Sequence, residues 1–338
     1  MSAYDYKNKV VVITGGASGM GLCFITHILA RGGLVSFGDI NTSLSKSLLL
    51  QIHATAPRTV SRLLFTRTDI RDARQLDSLM KRTVEVFGRI DLLLCVAGVN
   101  VPDSFIPAMG KANGDPSAVE EAPNLLNIQV NLCGTIATVY SSLQHLSSDA
   151  CIIIIASTTG IYPSSVQPLY SASKHGLIGF ARSLAPLLAL ETANSPIDKG
   201  RRIIVLAPST YLPPKHRHLS PPPPEIPVPA SPLFHAPERS STPPIRTDDG
   251  GSGEDLFTKV IGETLGFVEM STILGTLDRT LKHGKNGNVI EILPDRVAMS
   301  SFPETPEKMA EMDAKLRTAL CGGQRAPVAV KEEAMDHS

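Results

Sequence analysis

Short apolar runs recur along this chain at the spacing of strand, helix and strand. They occupy residues 10–13, 34–37, 60–65, 90–96, 151–156, 203–207 and 289–293. Amphipathic stretches at 21–31, 73–87, 125–146 and 171–190 lie between them. A strand that returns parallel to its predecessor needs a crossover of about a dozen residues, usually a helix. Such crossovers are right-handed almost without exception. The pattern therefore predicts a doubly wound α/β fold: a mainly seven-stranded parallel sheet with helices on both faces. The run Cys151-Ile152-Ile153-Ile154-Ile155-Ala156 is apolar at every position, as a strand covered on both sides must be. It is far shorter than the roughly 20 residues that span a bilayer.

Charge narrows the class of function. Lys+Arg and Asp+Glu are balanced at 32 each over 338 residues, and no basic stripe stands out. Nucleic acid is therefore not expected as a partner. The five cysteines form no Cys-x-x-Cys pair, and their number is odd. They read as reduced thiols of a cytoplasmic protein. Residues 1–9 are polar, so no ordinary secretory signal is expected there.

The first apolar run leads into Thr14-Gly15-Gly16-Ala17-Ser18-Gly19-Met20-Gly21, after which a helix begins. Glycine there lets backbone N–H groups approach a pyrophosphate, and the helix N-terminus adds a favourable dipole. The second strand ends at Asp39, followed by Ile40. A carboxylate at that point accepts hydrogen bonds from the adenosine ribose and repels a 2′-phosphate. No Arg or Lys lies in the glycine turn or directly after Asp39 to counter it. NAD is thus expected rather than NADP.

The 151–156 strand runs out into Ser157, and Tyr170 and Lys174 follow, four residues apart. That spacing puts the phenol and the ammonium on one helical face. A tyrosine with an ordinary pKa near 10 is a poor base at neutral pH, and a neighbouring ammonium lowers it. A serine at the mouth of the strand can hold a substrate oxygen. Hydride can then pass between substrate and nicotinamide while Tyr170 moves the proton.

As a set these residues resemble the short-chain dehydrogenase/reductase family, whose fold is of Rossmann type. The resemblance runs from 9 to about 208 and loosely again from 255 to 293. It rests on Thr14-Gly15-x-x-x-Gly19-x-Gly21, Asp69, Ala97-Gly98, Asn131, Ser157 and Tyr170-x-x-x-Lys174. It implies that Ser157 orients the carbonyl or hydroxyl, that Tyr170 is the acid/base, and that Lys174 binds the nicotinamide ribose. Asn131, a poor helix former within a helical stretch, would support a water relay near Lys174. Asp69 and Ile70 would contact the adenine. Asp39 and the stretch Met270-Ser271-Thr272 are similar to fungal members related to hydroxyprostaglandin-type dehydrogenases. A homodimer or homotetramer is the assembly implied.

Three positions depart from the family pattern. Val96 stands where an asparagine is usual, which removes an amide near the cofactor. Ser209 follows Pro208 in place of glycine, with its N–H still expected to reach the carboxamide. Pro186 is expected to kink or end the helix that carries Tyr170.

Residues 1–318 are read as one domain, with 319–338 a disordered tail. Between 211 and 253 lie 12 of the chain's 26 prolines, a segment read as a lid. The loop from 99 to 123 is also long. With Val99, Ile161, Leu212 and Phe234 it argues for a fairly large, mainly apolar alcohol or ketone, with an intermediate of specialised metabolism as the expected kind. His216 and His218, with His235 beyond, lack a fourth ligand, so no metal is expected. A cyclase or isomerase on the same scaffold is the competing function, ahead of a cofactor sensor.

Overall fold

The computed structural model describes residues 4–102, 105, 122–165, 167–190, 200–210 and 267–300. In chain order the described elements are β1 (Val10–Thr14), α1 (Gly19–Ala30), β2 (Leu34–Asp39), α2 (Thr42–Thr55) and β3 (Leu63–Arg67). Next come α3 (Ala73–Phe87), β4 (Ile90–Cys95), a π-helical turn (Ile128–Gly134), α4 (Thr135–Ser142), β5 (Leu146–Ile155) and α5 (Pro168–Leu190). The last are β6 (Arg202–Pro208), α6 (Met270–His283), β7 (Val289–Ile292) and β8 (Val297–Met299).

The strands form one sheet in the order β3-β2-β1-β4-β5-β6-β7-β8. All neighbours are parallel except β7 and β8. Chain order reverses between β1 and β4, and the carboxyl ends of strands diverge into a crevice at such a point. Alternate residues feed the two faces. Val11, Ile13 and Ile153 pack with Phe24 and Ile28 of α1 and with Ile273 and Leu277 of α6. Val12, Leu93, Ile152 and Ile154 pack with Leu79 and Met80 of α3 and with Leu177 and Ala181 of α5. A rigid sheet buried on both faces is what holds the strand ends still.

The fold follows the sequence reading, with local differences. The third strand starts at Leu63, because Pro57–Arg62 forms a 3-10 turn with proline at its first position. The helix expected over 125–146 is a π-turn followed by α4, and it stops at Ser142. β5 begins at Leu146, with a break in register opposite Ile90 and Leu92. An eighth, antiparallel strand covers β7. Pro186 does not end α5, which continues to Leu190. Its ring removes one N–H from the ladder of the helix, and Arg182, four residues back, lies on the exposed side. The proline-rich segment at 211–253, the tail at 319–338, most of the loop at 99–123, Leu212, Phe234 and the three histidines lie outside the described residues.

At the amino end of β1, a polar cluster ties the N-terminal segment to α1 and α6. The Tyr6 hydroxyl donates to Asp278 Oδ1 at 2.8 Å, and His27 Nε2 lies 3.0 Å from the same oxygen. Burial would raise the Asp278 carboxyl, but the His27 and Tyr6 hydrogen bonds outweigh it and hold it below its ordinary value. Asp278→Ala is expected to cost about 2–4 kcal/mol in urea unfolding, since two buried groups lose their partner. Asp278→Asn keeps an acceptor and should lose roughly half as much. A loss below about 1 kcal/mol for the alanine variant would show that the cluster is not under load.

Candidate active site

The glycine turn leaves no room for side chains. Gly15 has φ +74°, and a Cβ there would lie 2.7 Å from Ala97 Cα. At Gly21 it would lie 2.0 Å from the Gly15 carbonyl oxygen. Gly19 also has positive φ, at +53°. Thr14 is buried at the end of β1, and Met20 packs on the core. Ser18 precedes α1 without placing a side-chain hydrogen bond on it. The first N–H groups of α1 therefore lack a side-chain cap, and the positive end of the helix dipole meets bare backbone. This cradle fits a nicotinamide dinucleotide, whose phosphates Gly15, Ser18, Gly19, Met20 and Gly21 would surround. Gly21→Ala should weaken NADH binding about tenfold or more, read by NADH fluorescence, because the turn must move to admit the methyl. Unchanged affinity would mean that the turn does not hold the phosphates.

Asp39 is placed at the end of β2, and its carboxylate is already in use. Oδ2 accepts from the Ala17 N–H at 2.9 Å and Oδ1 from the Asn41 N–H at 2.8 Å. It braces the glycine turn, and each oxygen keeps a second lone pair for a ribose hydroxyl. Ile40 beside it is 53% exposed. Asp69 receives the Arg71 guanidinium in a two-pronged pair, which holds its carboxyl below its ordinary value. Ile70 is buried, and it packs where a Cβ on Gly134 would come within 2.7 Å of it.

Ser209 differs from expectation. Its N–H donates to the Ile292 carbonyl at 2.8 Å, extending the β6–β7 pairing beyond Pro208. The sheet has claimed the group assigned to the carboxamide.

The residues expected to be catalytic come together at the end of β5. Ser157 caps the 3-10 turn Thr158–Gly160. The Thr159 N–H and hydroxyl both donate to Ser157 Oγ, at 3.2 and 3.1 Å. The serine's own hydrogen is left free of Thr159, and Ser157 draws the Tyr170 phenol downward. Lys174 Nζ lies 5.5 Å from the centre of the Tyr170 ring and donates to the Ile155 carbonyl at 3.0 Å. Burial pushes the ammonium down from 10.5 to about 8. Burial also raises the Tyr170 phenol, against the pull of the Ser157 hydrogen bond. The expected lowering of the phenol by the ammonium is thus not what governs here. Lys174 spends its donor on a strand carbonyl, and loss of water outweighs the rest.

Asn131 sits in the π-turn and is buried. Its Oδ1 accepts from the Val99 N–H at 2.7 Å. Its Nδ2 donates to the Val99 carbonyl at 2.8 Å and reaches Ser173 Oγ at 3.3 Å. Ser173 in turn donates to the Tyr170 carbonyl at 2.7 Å. A Cβ on Gly98 would come 3.1 Å from Asn131 Oδ1 and 3.8 Å from Lys174 Nζ. Ala97 therefore lies against the glycine turn and Gly98 beside the amine. One dipeptide joins the phosphate cradle to the catalytic set.

Thr159, Ser173 and Asn127 were not found from the sequence. The string Ser157-Thr158-Thr159-Gly160 after a strand carried a signal, since hydroxyl residues in that position form caps and turns.

A profile of the short chain dehydrogenase family matches residues 9–195. The chain belongs to the short-chain dehydrogenases. Human 15-hydroxyprostaglandin dehydrogenase [NAD(+)] is 31% identical over 207 residues, 60% of this chain and 68% of that protein. The short-chain dehydrogenase/reductase ascJ of Acremonium egyptiacum is 32% identical over 219 residues, 62% of this chain and 67% of that one. A short-chain dehydrogenase/reductase from Serratia marcescens shares the fold at TM-score 0.59 and 17% identity, covering 86% of this chain and 98% of its own. As a short-chain dehydrogenase, the protein is an oxidoreductase of the nicotinamide-dependent kind acting on small molecules. Among the described residues no helix is long and apolar enough to cross a membrane, and no group of three or more His, Cys, Asp or Glu is placed to hold a metal ion.

Proposed function

We propose that this dehydrogenase interconverts a secondary alcohol and a ketone with NAD(H), on a fairly large, mainly apolar substrate of specialised metabolism. The observation that carries the reading is the convergence of Ser157, Tyr170 and Lys174 beside Gly98. Bound nicotinamide would accept or supply the hydride. In reduction the Tyr170 phenol gives its proton to the new alcohol oxygen and is left as the phenolate, and in oxidation that phenolate takes the hydroxyl proton. Ser157, its oxygen already accepting twice from Thr159, presents its hydrogen to the substrate oxygen. Lys174 keeps a positive charge in a water-poor site, where it acts more strongly than in solvent. Half-buried Val99 and Ile161 support an apolar substrate, as does the hydroxyprostaglandin named for the human relative. Exposed Tyr140 and Leu187 support a homodimer or homotetramer.

The choice of NAD rests on Asp39. The carboxylate is locked to Ala17 and Asn41 and cannot swing away from a 2′-phosphate. NADH should bind at least about tenfold more tightly than NADPH in fluorescence titrations, the size of one uncompensated like-charge contact. Tighter NADPH binding would overturn the assignment. The reaction class is tested with NAD+ and a panel of secondary alcohols followed at 340 nm. Turnover restricted to small polar hydroxy acids would remove the proposed substrate class.

A further inference from the structure

We infer that Asn127 is a positioning residue for the active site: with Asn131 it holds the backbone of Val99 and Val101 and so fixes Gly98 against Lys174. The inference rests on the oxidoreductase reading above. β4 ends at Cys95, and the chain that leaves it carries backbone donors and acceptors beyond the sheet. Two side-chain amides take them. Asn131 accepts from the Val99 N–H and donates to its carbonyl, at 2.7 and 2.8 Å. Asn127 does the same for Val101, at 3.1 and 3.0 Å.

The spacing explains why this works. Residues four apart on a helix stand about 6 Å from each other, and residues two apart on an extended chain about 6.6 Å. A pair of asparagines at i and i+4 can therefore serve an extended chain as a neighbouring strand would. Both asparagines are 1% exposed, so these bonds are made away from water. The chain also lacks an amide at Val96, and Asn127 returns one to the same stretch from the helical side.

The segment so held touches the chemistry at two points. Gly98 borders Lys174 Nζ, and Asn100 accepts from Gln167 Nε2 at 3.2 Å, three residues before Tyr170. Loosening Val101 frees one end of a stretch whose other end is the wall beside the amine. Water then gains access to Lys174, and the backbone under the glycine turn shifts with it.

The test uses the full chain with Asn127→Leu and Asn127→Asp. Leucine keeps the branched outline, at a slightly larger size, and loses both bonds. Protonated aspartic acid has the shape and bonding of asparagine, whereas the carboxylate repels the Val101 carbonyl. Two readouts are followed: NADH affinity by fluorescence, and titration of the Lys174 amine by lysine 15N NMR, its signal assigned by its loss in Lys174→Met. For Asn127→Leu, the NADH dissociation constant should rise about five- to tenfold and the Lys174 midpoint should move up from about 8. For Asn127→Asp, NADH affinity relative to wild type should recover as pH falls from 8 to 5.5. The lysine titration needs no cofactor, so failure of wild type to bind NADH would defeat the nicotinamide reading and leave this test standing. Folded variants with NADH affinity within twofold of wild type and an unmoved Lys174 titration would overturn the inference. So would the absence of folded protein for both variants, since the residue would then serve the fold rather than the site.

Discussion

Tyr170→Phe should abolish most turnover and leave the cofactor in place. The substitution removes one oxygen and keeps the ring, so packing in a site that excludes water is conserved. What is lost is the proton donor and acceptor, a role worth about 10²- to 10⁴-fold in rate. The expectation here is a fall in kcat of about 10³-fold, with the NADH dissociation constant changed less than about twofold. The buried phenol lies above its ordinary value and Ser157 pulls it down, so residual activity should not return at high pH once the oxygen has gone. The measurement is initial rates on the best alcohol or ketone of the panel beside an NADH titration of the same preparation. A variant that keeps a tenth or more of the wild-type rate would assign the proton to another group, and would fit a pocket that works by positioning.

Lys174→Met should make the protein more stable and far less active. The buried ammonium is held at about 8 against 10.5 in the unfolded chain, a burden of about 3 kcal/mol on the native state. Methionine removes that burden but leaves the Ile155 carbonyl without its donor, which returns about 1–3 kcal/mol. The net expectation is a gain of about 1 kcal/mol at pH 7, or about 2–4 °C in Tm. Activity should fall about 10²-fold or more, as when one preorganised charge is lost from a closed site. The sign of the pH dependence is fixed. Below pH 8 the lysine is charged in both folded and unfolded chains, so the full burden is felt. Between about 8 and 10.5 the native lysine loses its proton while the unfolded one keeps it, and the native state gains. Wild type should therefore close the gap to Lys174→Met as pH rises through that window in urea melts. A variant less stable than wild type by several kcal/mol would show that the Ile155 bond outweighs the charge.

The sheet was legible because its signal is periodic and long. α3 begins at Ala73 and ends at Phe87 as the pattern requires, since Asp72 caps one end and Gly88, at φ +85°, the other. The start of β5 was not legible, because Ser147, Ser148 and Asp149 carry no apolar pattern and fall in the break between the pairings of Leu146 and Cys151. The eighth strand is short and mostly exposed, so burial imposes no alternation on it. At the site, residue identity and spacing announced Ser157, Tyr170 and Lys174. The use made of Asp39 and of the Ser209 N–H was hidden, because both depend on which backbone group another strand or turn brings alongside. Thr159, Ser173 and Asn127 act through other residues, and a side chain that only orients its neighbour has no spacing rule of its own.

Ala97 lies under Gly15, and Gly98 lies beside Lys174. The span from the glycine turn to the Lys174 amine is therefore bridged by two covalently joined residues, about 3.8 Å from Cα to Cα. Such a ruler keeps its length as long as Asn131 and Asn127 hold Val99 and Val101. Insertions after Val101 can reshape what the enzyme accepts while the distance over which it reacts stays the same.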